Sequence, residues 1–342
     1  MAEDAQLETP IAKGLRLLAD IGGTNARFAL ARRGKAPYAR HVLRTNAFAS
    51  PAEAIEAYLR LNARGRRPES AAIAVAGPLG GDHVKFTNAP WAFSIAALRR
   101  ETGIGALFVL NDFEAQAWAL PAYRGGDLLK FGQGKPVGGA PQVVFGPGTG
   151  LGVACFLPEA RFALATEGGH MSIAPGSARE AAVISAMGGR FGHVSAERVV
   201  SGPGLRYIYE ALATIDGVPP LPPEEFGVAA ITRRARLARD PLAVETMAIF
   251  SSLAGSFAGN LALAYGARGG VYLAGGVIPR LGPLFDRRAF RRRFTDKGRF
   301  HGWLAAIPSY LVTHPQQAMV GLAQYLDQRE HAAGPGYGLF PA

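Results

Sequence analysis

The chain has 342 residues, of which 49% are hydrophobic, 18% are charged and one is cysteine, and its formal net charge is +11. This composition excludes a largely disordered chain, and the lone Cys155 excludes an internal disulfide or a zinc site built from several cysteines. The length exceeds the roughly 250 to 300 residues at which single hydrophobic cores tend to split, so we expect two domains.

The excess of basic residues raises the question of nucleic-acid binding, but the arginines are scattered along the chain. The densest cluster, Arg287 to Arg293, has no nucleic-acid reader motif beside it, and we interpret it as a solvated helix face. The acidic residues 1–10 lack the plan of a secretion signal, and no apolar run approaches the roughly 18 to 20 residues of a membrane span. The sequence thus predicts a cytoplasmic protein with no nucleic-acid or membrane partner.

The first predicted element is a strand, a tight turn and a returning strand over residues 17–30. The turn, Gly22 to Asn25, follows Asp20 and contains two glycines, a threonine and an asparagine. Glycine N–H groups can close on an anion because no Cβ intervenes, and the two polar side chains add donors. The turn therefore suits a phosphate, although a hairpin without any ligand fits the same pattern.

A buried strand and a helix meet at a second acidic residue. The strand covers residues 106–110, and Asn111 and Asp112 come directly before a helix over 113–120. Ligands of open α/β sheets collect at the carboxyl ends of such strands, which favours a functional role for Asp112. A first-turn acid that only interacts with the helix dipole fits the local pattern as well. The elements predicted upstream are a helix over Pro51 to Asn62 capped by Ser50, a buried strand over 71–76 and a helix over 94–101.

The pattern of a strand, a glycine turn and a returning strand, seen at residues 17–30, occurs again in the second half of the chain. Residues 125–139 are rich in glycine and are interpreted as a loop and hinge region. Residues 142–157 then read as a strand, a turn with glycines and a threonine, and a returning strand. A third glycine turn, Gly275-Gly276, closes a buried strand over 270–274. This internal repeat favours phosphate turns in both halves.

Two polar side chains, Glu167 and His170, flank Gly168-Gly169, a pattern that lets both converge on one small ligand. A surface ion pair or part of a metal site fits the pair equally well, but zinc would require further protein ligands. The remaining predicted helices cover 179–187, 205–212, a long core helix from Pro241 to Tyr265, and 316–328.

Seven motifs in order resemble bacterial glucokinases of the hexokinase-like type, within the actin, hexokinase and sugar-kinase group of ATPases. The resemblance extends from residue 15 to about 328, and the motifs are Asp20–Arg27, Phe86–Trp91, Leu110–Ala115, Gly146–Gly152, Thr166–His170, Glu197–Gly204 and Leu273–Val277. It implies an α/β protein with two actin-like ATPase (ribonuclease H-like) domains that flank an interdomain cleft. The implied division is a flexible leader (1–14), a small domain (15–122 with 313–330), a large domain (123–312) and a tail (331–342).

The same resemblance implies ATP-dependent phosphorylation of D-glucose to glucose 6-phosphate, with Asp112 as general base on the sugar 6-hydroxyl. The implied sugar ligands are Asn88, Asn111, Asp112, Glu167, His170 and Glu197. The implied nucleotide-binding residues are Asp20, Gly22, Gly23, Thr24, Asn25, Gly148, Thr149, Gly150, Gly275 and Gly276. Asp20 would hold Mg²⁺ through water, because Mg²⁺ loses its hydration shell reluctantly.

Two other functions stay open at this point. A kinase of the same fold could act on another hexose or an amino sugar, which the motifs do not distinguish. A sugar-responsive regulator would need a DNA-binding helix-turn-helix, for which the stretch before residue 15 is too short. The expected partners are glucose and ATP, and a homodimer is compatible with the sequence.

Overall fold

A computed structural model describes residues 11–64, 66–77, 79–86, 91–219, 221–222 and 227–332. This part of the chain contains thirteen strands and twelve α-helices. The strands are β1 (Ile11–Ile21), β2 (Asn25–Ala31), β3 (Tyr38–Arg44), β4 (Arg67–Val75), β5 (His83–Lys85), β6 (Ala92–Ser94), β7 (Ala106–Asn111), β8 (Leu128–Phe131), β9 (Gln142–Pro147), β10 (Leu151–Leu157), β11 (Phe162–Thr166), β12 (Val271–Leu273) and β13 (Ser309–Val312). The helices are α1 (Pro51–Asn62), α2 (Ile95–Thr102), α3 (Asp112–Ala119), α4 (Ala178–Phe191), α5 (Ala196–Val199), α6 (Gly202–Ile215), α7 (Val228–Arg236), α8 (Pro241–Tyr265), α9 (Val277–Leu281), α10 (Arg287–Thr295), α11 (His301–Ala305) and α12 (Gln317–Ala332).

The chain forms two compact units. Unit 1 combines Met1–Ala122 with Gln316–Ala342, and unit 2 is Tyr123–Pro315. The domain boundaries predicted from the sequence lie after residues 122 and 312. The first is the same as in the structure, and the second lies three residues before the boundary of the structure. Residues 1–10 of the predicted leader and 333–342 of the predicted tail lie outside the described residues.

Unit 1 is built on a five-stranded sheet with the order β3-β2-β1-β4-β7. Strands β1, β4 and β7 run parallel, whereas β2 and β3 are antiparallel to their neighbours. The parallel strands therefore end at one common edge of the sheet. Ser50 caps α1 as the sequence predicts, since its side chain accepts from Glu53 N. Ser94 likewise caps α2 by accepting from Ala97 N, a role that the sequence analysis does not assign to it.

The start of β1 corrects the predicted leader. Residues 11–14 belong to this strand, with Ile11 and Ala12 opposite Arg67 and Pro68 of β4. The register of the pairing shifts between Ala12 and Arg16. No local pattern predicts this pairing, because the pairing partner lies more than 50 residues away.

Helix α12 returns the chain to unit 1 and packs against α3, β4 and β1. Arg16 of β1 has only 2% of its surface exposed and forms ion pairs with Asp327 and Glu330 of this helix. Gly321 lies so close to α3 that a Cβ at this position would be 1.6 Å from the Ala115 carbonyl oxygen. The two helices can therefore cross only where no side chain separates their backbones.

Unit 2 repeats the strand order of unit 1. Its six-stranded sheet runs β11-β10-β9-β12-β13-β8, and its first five strands have the same parallel and antiparallel relations as the sheet of unit 1. The internal repeat that the sequence predicts is confirmed. The sixth strand, β8, lies within the predicted Gly125–Gly139 loop and pairs with β13. This part of the loop prediction is wrong, because the pairing joins residues 128–131 to the distant residues 309–312.

Helix α8 is the long core helix that the sequence predicts. It is also long and apolar enough to cross a membrane by length and composition, contrary to the expectation that no segment approaches this limit. In the structure 72% of the most apolar 18-residue segment of this helix is buried. Its one charged residue, Glu245, accepts a 2.8 Å hydrogen bond from Arg179. The apolar surface of α8 is thus used in packing within unit 2.

The basic cluster on α10 is only partly the solvated face that the sequence predicts. Arg287, Arg288 and Arg292 are exposed. Arg291, in contrast, donates to Ser309 Oγ at 2.6 Å and stacks on Phe294, and burial lowers its pKa to about 10. Arg293 pairs with the buried Glu180 at 3.3 Å. Two members of the cluster therefore hold α10 against its unit, which their sequence spacing does not reveal.

Cys155 lies in β10 with 1% of its surface exposed, and burial raises the pKa of its thiol to about 11. Because the thiolate is the reactive form, we expect the native protein to resist a thiol reagent such as 5,5′-dithiobis(2-nitrobenzoate) at pH 8. One thiol per chain should react after unfolding in guanidinium chloride. Rapid labelling of the native chain would contradict the buried position.

Candidate active site

The common edge of the unit 1 sheet carries two of the predicted site residues. Asp20 near the end of β1 lies opposite Ala74 of β4, which in turn lies opposite Leu110 of β7. Asp112 follows two residues after Leu110, as the first residue of α3. Two strand spacings, about 10 Å, separate β1 from β7. The sheet register therefore brings the Gly22–Asn25 turn and Asp112 to the same edge of the unit.

The Gly22–Asn25 turn joins β1 to β2 as a hairpin loop. The Gly22 N–H donates to the Asn25 carbonyl at 3.0 Å, so in this structure it is used within the turn, and the predicted role of Gly22 at a phosphate stays a prediction. Gly22 has no left-handed φ, and a Cβ there would meet only the Asn25 carbonyl oxygen at 3.6 Å. The fold itself therefore does not require glycine at this position, which is consistent with space kept for a ligand.

The carbonyl groups of this turn are held by Thr45, a residue that the sequence does not single out. The Thr45 hydroxyl donates to the Gly23 carbonyl at 2.9 Å, and the Thr45 N–H donates to the Thr24 carbonyl at 3.1 Å. Thr45 has 1% of its surface exposed, whereas Thr24 is exposed. The turn is thus supported from its buried side and open on the other.

Asp20 is half-buried and accepts a 3.2 Å hydrogen bond from Arg27 through its Oδ2 atom. Burial raises the pKa of this carboxyl, and the neighbouring guanidinium offsets part of that effect. Among the described residues no group of three His, Cys, Asp or Glu side chains could hold a metal ion. A single carboxylate beside the predicted phosphate turn fits Mg²⁺, which usually takes one or two protein carboxylates and completes its shell with phosphates and water.

Asn111 and Asp112 form the start of α3. Asn111 Oδ1 accepts from the N–H groups of Phe113 and Glu114, and its Nδ2 donates to the Gly77 carbonyl at 3.1 Å. Asp112 Oδ1 accepts from Phe113 N at 3.0 Å. Asn111 is therefore the helix cap, and these contacts use only one of its two amide hydrogens. Asn88, the other predicted sugar ligand of unit 1, lies outside the described residues.

The matching turn in unit 2, Gly148 to Gly150, joins β9 to β10 and is fixed at both ends. Gly148 N–H donates to the Gly150 carbonyl, and the Gly148 carbonyl accepts from Gly202 N–H at the start of α6, both at 2.8 Å. A Cβ on Gly148 would contact nothing within 4 Å, and Thr149 is exposed at the tip. The turn therefore lies at a helix N-terminus, whose partial positive charge favours an anion.

Glu197 of α5 connects this turn to the predicted sugar ligands. Its Oε2 atom accepts from Leu151 N–H at 2.9 Å and would lie 2.5 Å from a Cβ on Gly150. On the other side of Leu151, a Cβ on Gly169 would be 2.0 Å from the Leu151 carbonyl oxygen. Gly169 is thus required by close packing, and the Gly168–His170 turn lies directly against the start of β10.

Glu167 and His170 stand at the two ends of this turn with 58% and 61% of their side chains exposed. His170 Nε2 and Glu167 Oε2 are 3.8 Å apart. The Thr166 side chain connects the Gly168–His170 turn to β10, because Thr166 Oγ1 accepts from Gly168 N and donates to the Val153 carbonyl. The structure thus groups Glu167, His170 and Glu197 around the start of one strand.

The third glycine turn packs on the end of β9. Gly275 has a left-handed φ of +75°, and a Cβ there would lie 2.7 Å from the Pro147 carbonyl oxygen. Gly276 lies beside the guanidinium of Arg280, whose central carbon would be 3.5 Å from a Cβ on this glycine. Gly275 is therefore explained by the fold, and the turn is a neighbour of the Gly148–Gly150 turn.

Comparison with known proteins agrees with this arrangement. The glucokinase family model matches residues 17–329. The glucokinase of Paramagnetospirillum magneticum is 44% identical over 320 residues, which cover 92% of this chain and 98% of that protein. The glucokinase of Chromobacterium violaceum is 45% identical over 315 residues, or 91% and 89% of the two chains. The crystal structure of a glucokinase from an Antarctic psychrotroph has a TM-score of 0.84 at 33% identity and covers 93% of this chain and 100% of that one.

The resemblance inferred from the seven motifs is confirmed by these matches, which include both units. The repeated strand order identifies each unit as an actin-like ATPase (ribonuclease H-like) fold. The family model, the sequence identity along nearly the whole chain and the shared fold agree. The chain therefore belongs to the glucokinase family.

Proposed function

We propose that Asp112 is the general base of this enzyme, a glucokinase that phosphorylates D-glucose to glucose 6-phosphate with ATP as the phosphoryl donor. The observation that carries the proposal is the register of the unit 1 sheet, which places Asp112 at the same edge as the Gly22–Asn25 turn. The carboxylate takes the proton of the 6-hydroxyl as that oxygen bonds to the γ-phosphorus and the bond from phosphorus to ADP breaks. Phosphoryl transfer needs little more than such positioning and charge stabilisation.

Groups suited to sugar hydroxyls are present in each unit: carboxylate and imidazole groups in unit 2, and amide groups in unit 1. Glu167, His170 and Glu197 are grouped around Leu151, and their polar side chains can accept from and donate to vicinal hydroxyls. Asn111, and Asn88 by resemblance, supply further hydrogen bonds. Such a polar set disfavours analogues that lack a hydroxyl, because a site group then stays unpaired.

The phosphates are bound by backbone N–H groups at the turns. In unit 1 these are the groups of Gly23, Thr24 and Asn25, since Gly22 N–H is already used. In unit 2 they belong to Thr149 and Gly150 of the Gly148–Gly150 turn, since Gly148 N–H already donates to the Gly150 carbonyl, with Gly275 and Gly276 toward the nucleoside. Asp20 orients hydrated Mg²⁺, which would neutralise phosphate charge when bound. The cytoplasm as location and a homodimer as assembly are proposed from the sequence alone.

A coupled assay tests the reaction and its sugar specificity together. With MgATP we expect turnover on glucose well above the ATPase background, and kcat/KM for glucose at least about tenfold above fructose, mannose and N-acetylglucosamine, the size expected when one site group loses its partner. Mass spectrometry should identify glucose 6-phosphate. Faster turnover of one of the other sugars would instead indicate a kinase of another hexose or amino sugar.

A further inference from the structure

Thr45 is a buried residue that contacts the proposed phosphate turn of unit 1, Gly22 to Asn25, from the buried side of the turn. It belongs to a short 3₁₀ turn, Thr45–Ala47, which follows β3 and is remote in sequence from the glycines it contacts. Its hydroxyl and its N–H both donate to that turn, to the carbonyl groups of Gly23 and Thr24. We propose that Thr45 is a positioning residue for MgATP, an inference that rests on the proposed phosphate role of the turn.

The geometry of the peptide bond explains how a buried hydroxyl can act on the opposite face. The peptides of this turn are trans, so the C=O and N–H of each unit point in opposite directions. When Thr45 holds the Gly23 carbonyl, the Thr24 N–H points away from Thr45. When it holds the Thr24 carbonyl, the Asn25 N–H does the same. Thr45 thereby fixes the orientation of two peptide groups of the turn, whose N–H groups point away from Thr45.

The support behind Thr45 is itself fixed. The Thr45 carbonyl accepts from Phe48 N, and the Phe48 carbonyl accepts from the indole N–H of Trp91 at 3.0 Å. Trp91 is 3% exposed and packs edge-on against Phe86. Because each step is a hydrogen bond to a buried or half-buried group, the Thr45 hydroxyl has a defined position before any ligand binds.

The decisive comparison is Thr45→Val, which keeps the shape of the side chain and removes its hydroxyl. The hydroxyl bond to Gly23 is lost and the peptide can rotate, so the KM for ATP should rise about tenfold, the effect of one hydrogen bond. The KM for glucose should stay within about twofold. Thr45→Ser keeps the hydroxyl and should restore the KM for ATP to near the wild-type value.

Thr102→Val is a matched control in the same unit. Thr102 is fully buried, and its hydroxyl also donates to a backbone carbonyl, that of Leu98 at 2.7 Å. It should lower thermal stability as Thr45→Val does but leave the KM for ATP unchanged. If Thr45→Val does not fold, Thr45→Ser and Thr45→Ala provide the same comparison. An unchanged KM for ATP in the variants without the hydroxyl, or equal rises for ATP and glucose, would overturn the proposal.

Gly22→Val separates this inference from the role of the turn. Its Cβ is accommodated by the fold, while the larger side chain narrows the space at the turn. A raised KM for ATP in this variant together with an unchanged one in Thr45→Val would overturn only the positioning role of Thr45. An unchanged KM for ATP in both would overturn the phosphate role of the turn as well.

Discussion

Replacement of Asp112 by Asn is expected to lower kcat for glucose by about 10²- to 10⁴-fold, the usual contribution of a general base. The amide has nearly the same shape, and it can still accept the hydrogen bond from Phe113 N that the carboxylate accepts. Glucose binding, measured by isothermal titration calorimetry, should therefore stay within a few-fold of the wild-type value. Initial rates with the coupled assay give kcat.

Glu53→Gln is the control for loss of a negative charge in the first turn of a helix. Glu53 occupies the first turn of α1 in the same unit and accepts from Ala49 N at 2.9 Å. Both variants lose a favourable interaction with a helix dipole, worth about 0.3–1 kcal/mol. Only Asp112→Asn should lose turnover. A variant at Asp112 with near-wild-type kcat would assign this residue to the helix terminus alone.

Gly321→Ala is expected to destabilise unit 1 by about 3 kcal/mol, because overpacking against a backbone atom cannot be relieved by a side-chain rotation. The new methyl group would be 1.6 Å from the Ala115 carbonyl oxygen, so α12 and α3 must move apart. Asp112 begins α3, and we therefore expect turnover to fall with stability. Thermal unfolding followed by circular dichroism and the coupled assay measure the two effects.

Gly105→Ala tests whether the effect at Gly321 comes from crowding. Gly105 is in the same unit, has no left-handed φ, and a Cβ there would have no neighbour within 4 Å. The expected change in its free energy of unfolding is within about 0.5 kcal/mol, as for most uncrowded surface positions. Equal destabilisation by both substitutions would contradict the close crossing of α3 and α12.

Local sequence rules predicted much of the fold where a short segment contains its own signal. Ser50 followed by Pro51 marks the start of α1, and the apolar run before Asn111 marks the end of β7. Strand β8 could not be predicted in this way. Its residues lie between glycines, and their strand conformation depends on pairing with β13, about 180 residues later.

In the candidate site, too, the features with a local sequence motif were predicted, and those that depend on hydrogen bonds between separate segments were not. The motifs located each glycine turn, and the repeated strand order in the two units agrees with that prediction. The use of Gly22 N–H within the turn and the support from Thr45 were missed, since both depend on hydrogen bonds that no spacing in the sequence encodes. The prediction for the basic cluster on α10 was partly wrong for a related reason: besides the neighbouring Asp296, Arg293 pairs with the buried Glu180, more than 100 residues away.

The return of the chain to unit 1 through α12 sets an order of events during synthesis. Every residue of unit 2 leaves the ribosome before α12, so unit 2 can complete its core while unit 1 still lacks a helix. Until α12 arrives, Arg16 has neither of its carboxylate partners and one face of α3 stays uncovered. The nascent enzyme therefore completes unit 1, which carries Asp112, only when α12 has been made, and ribosome-bound chains that end before Gln317 should be inactive and sensitive to protease within residues 1–122.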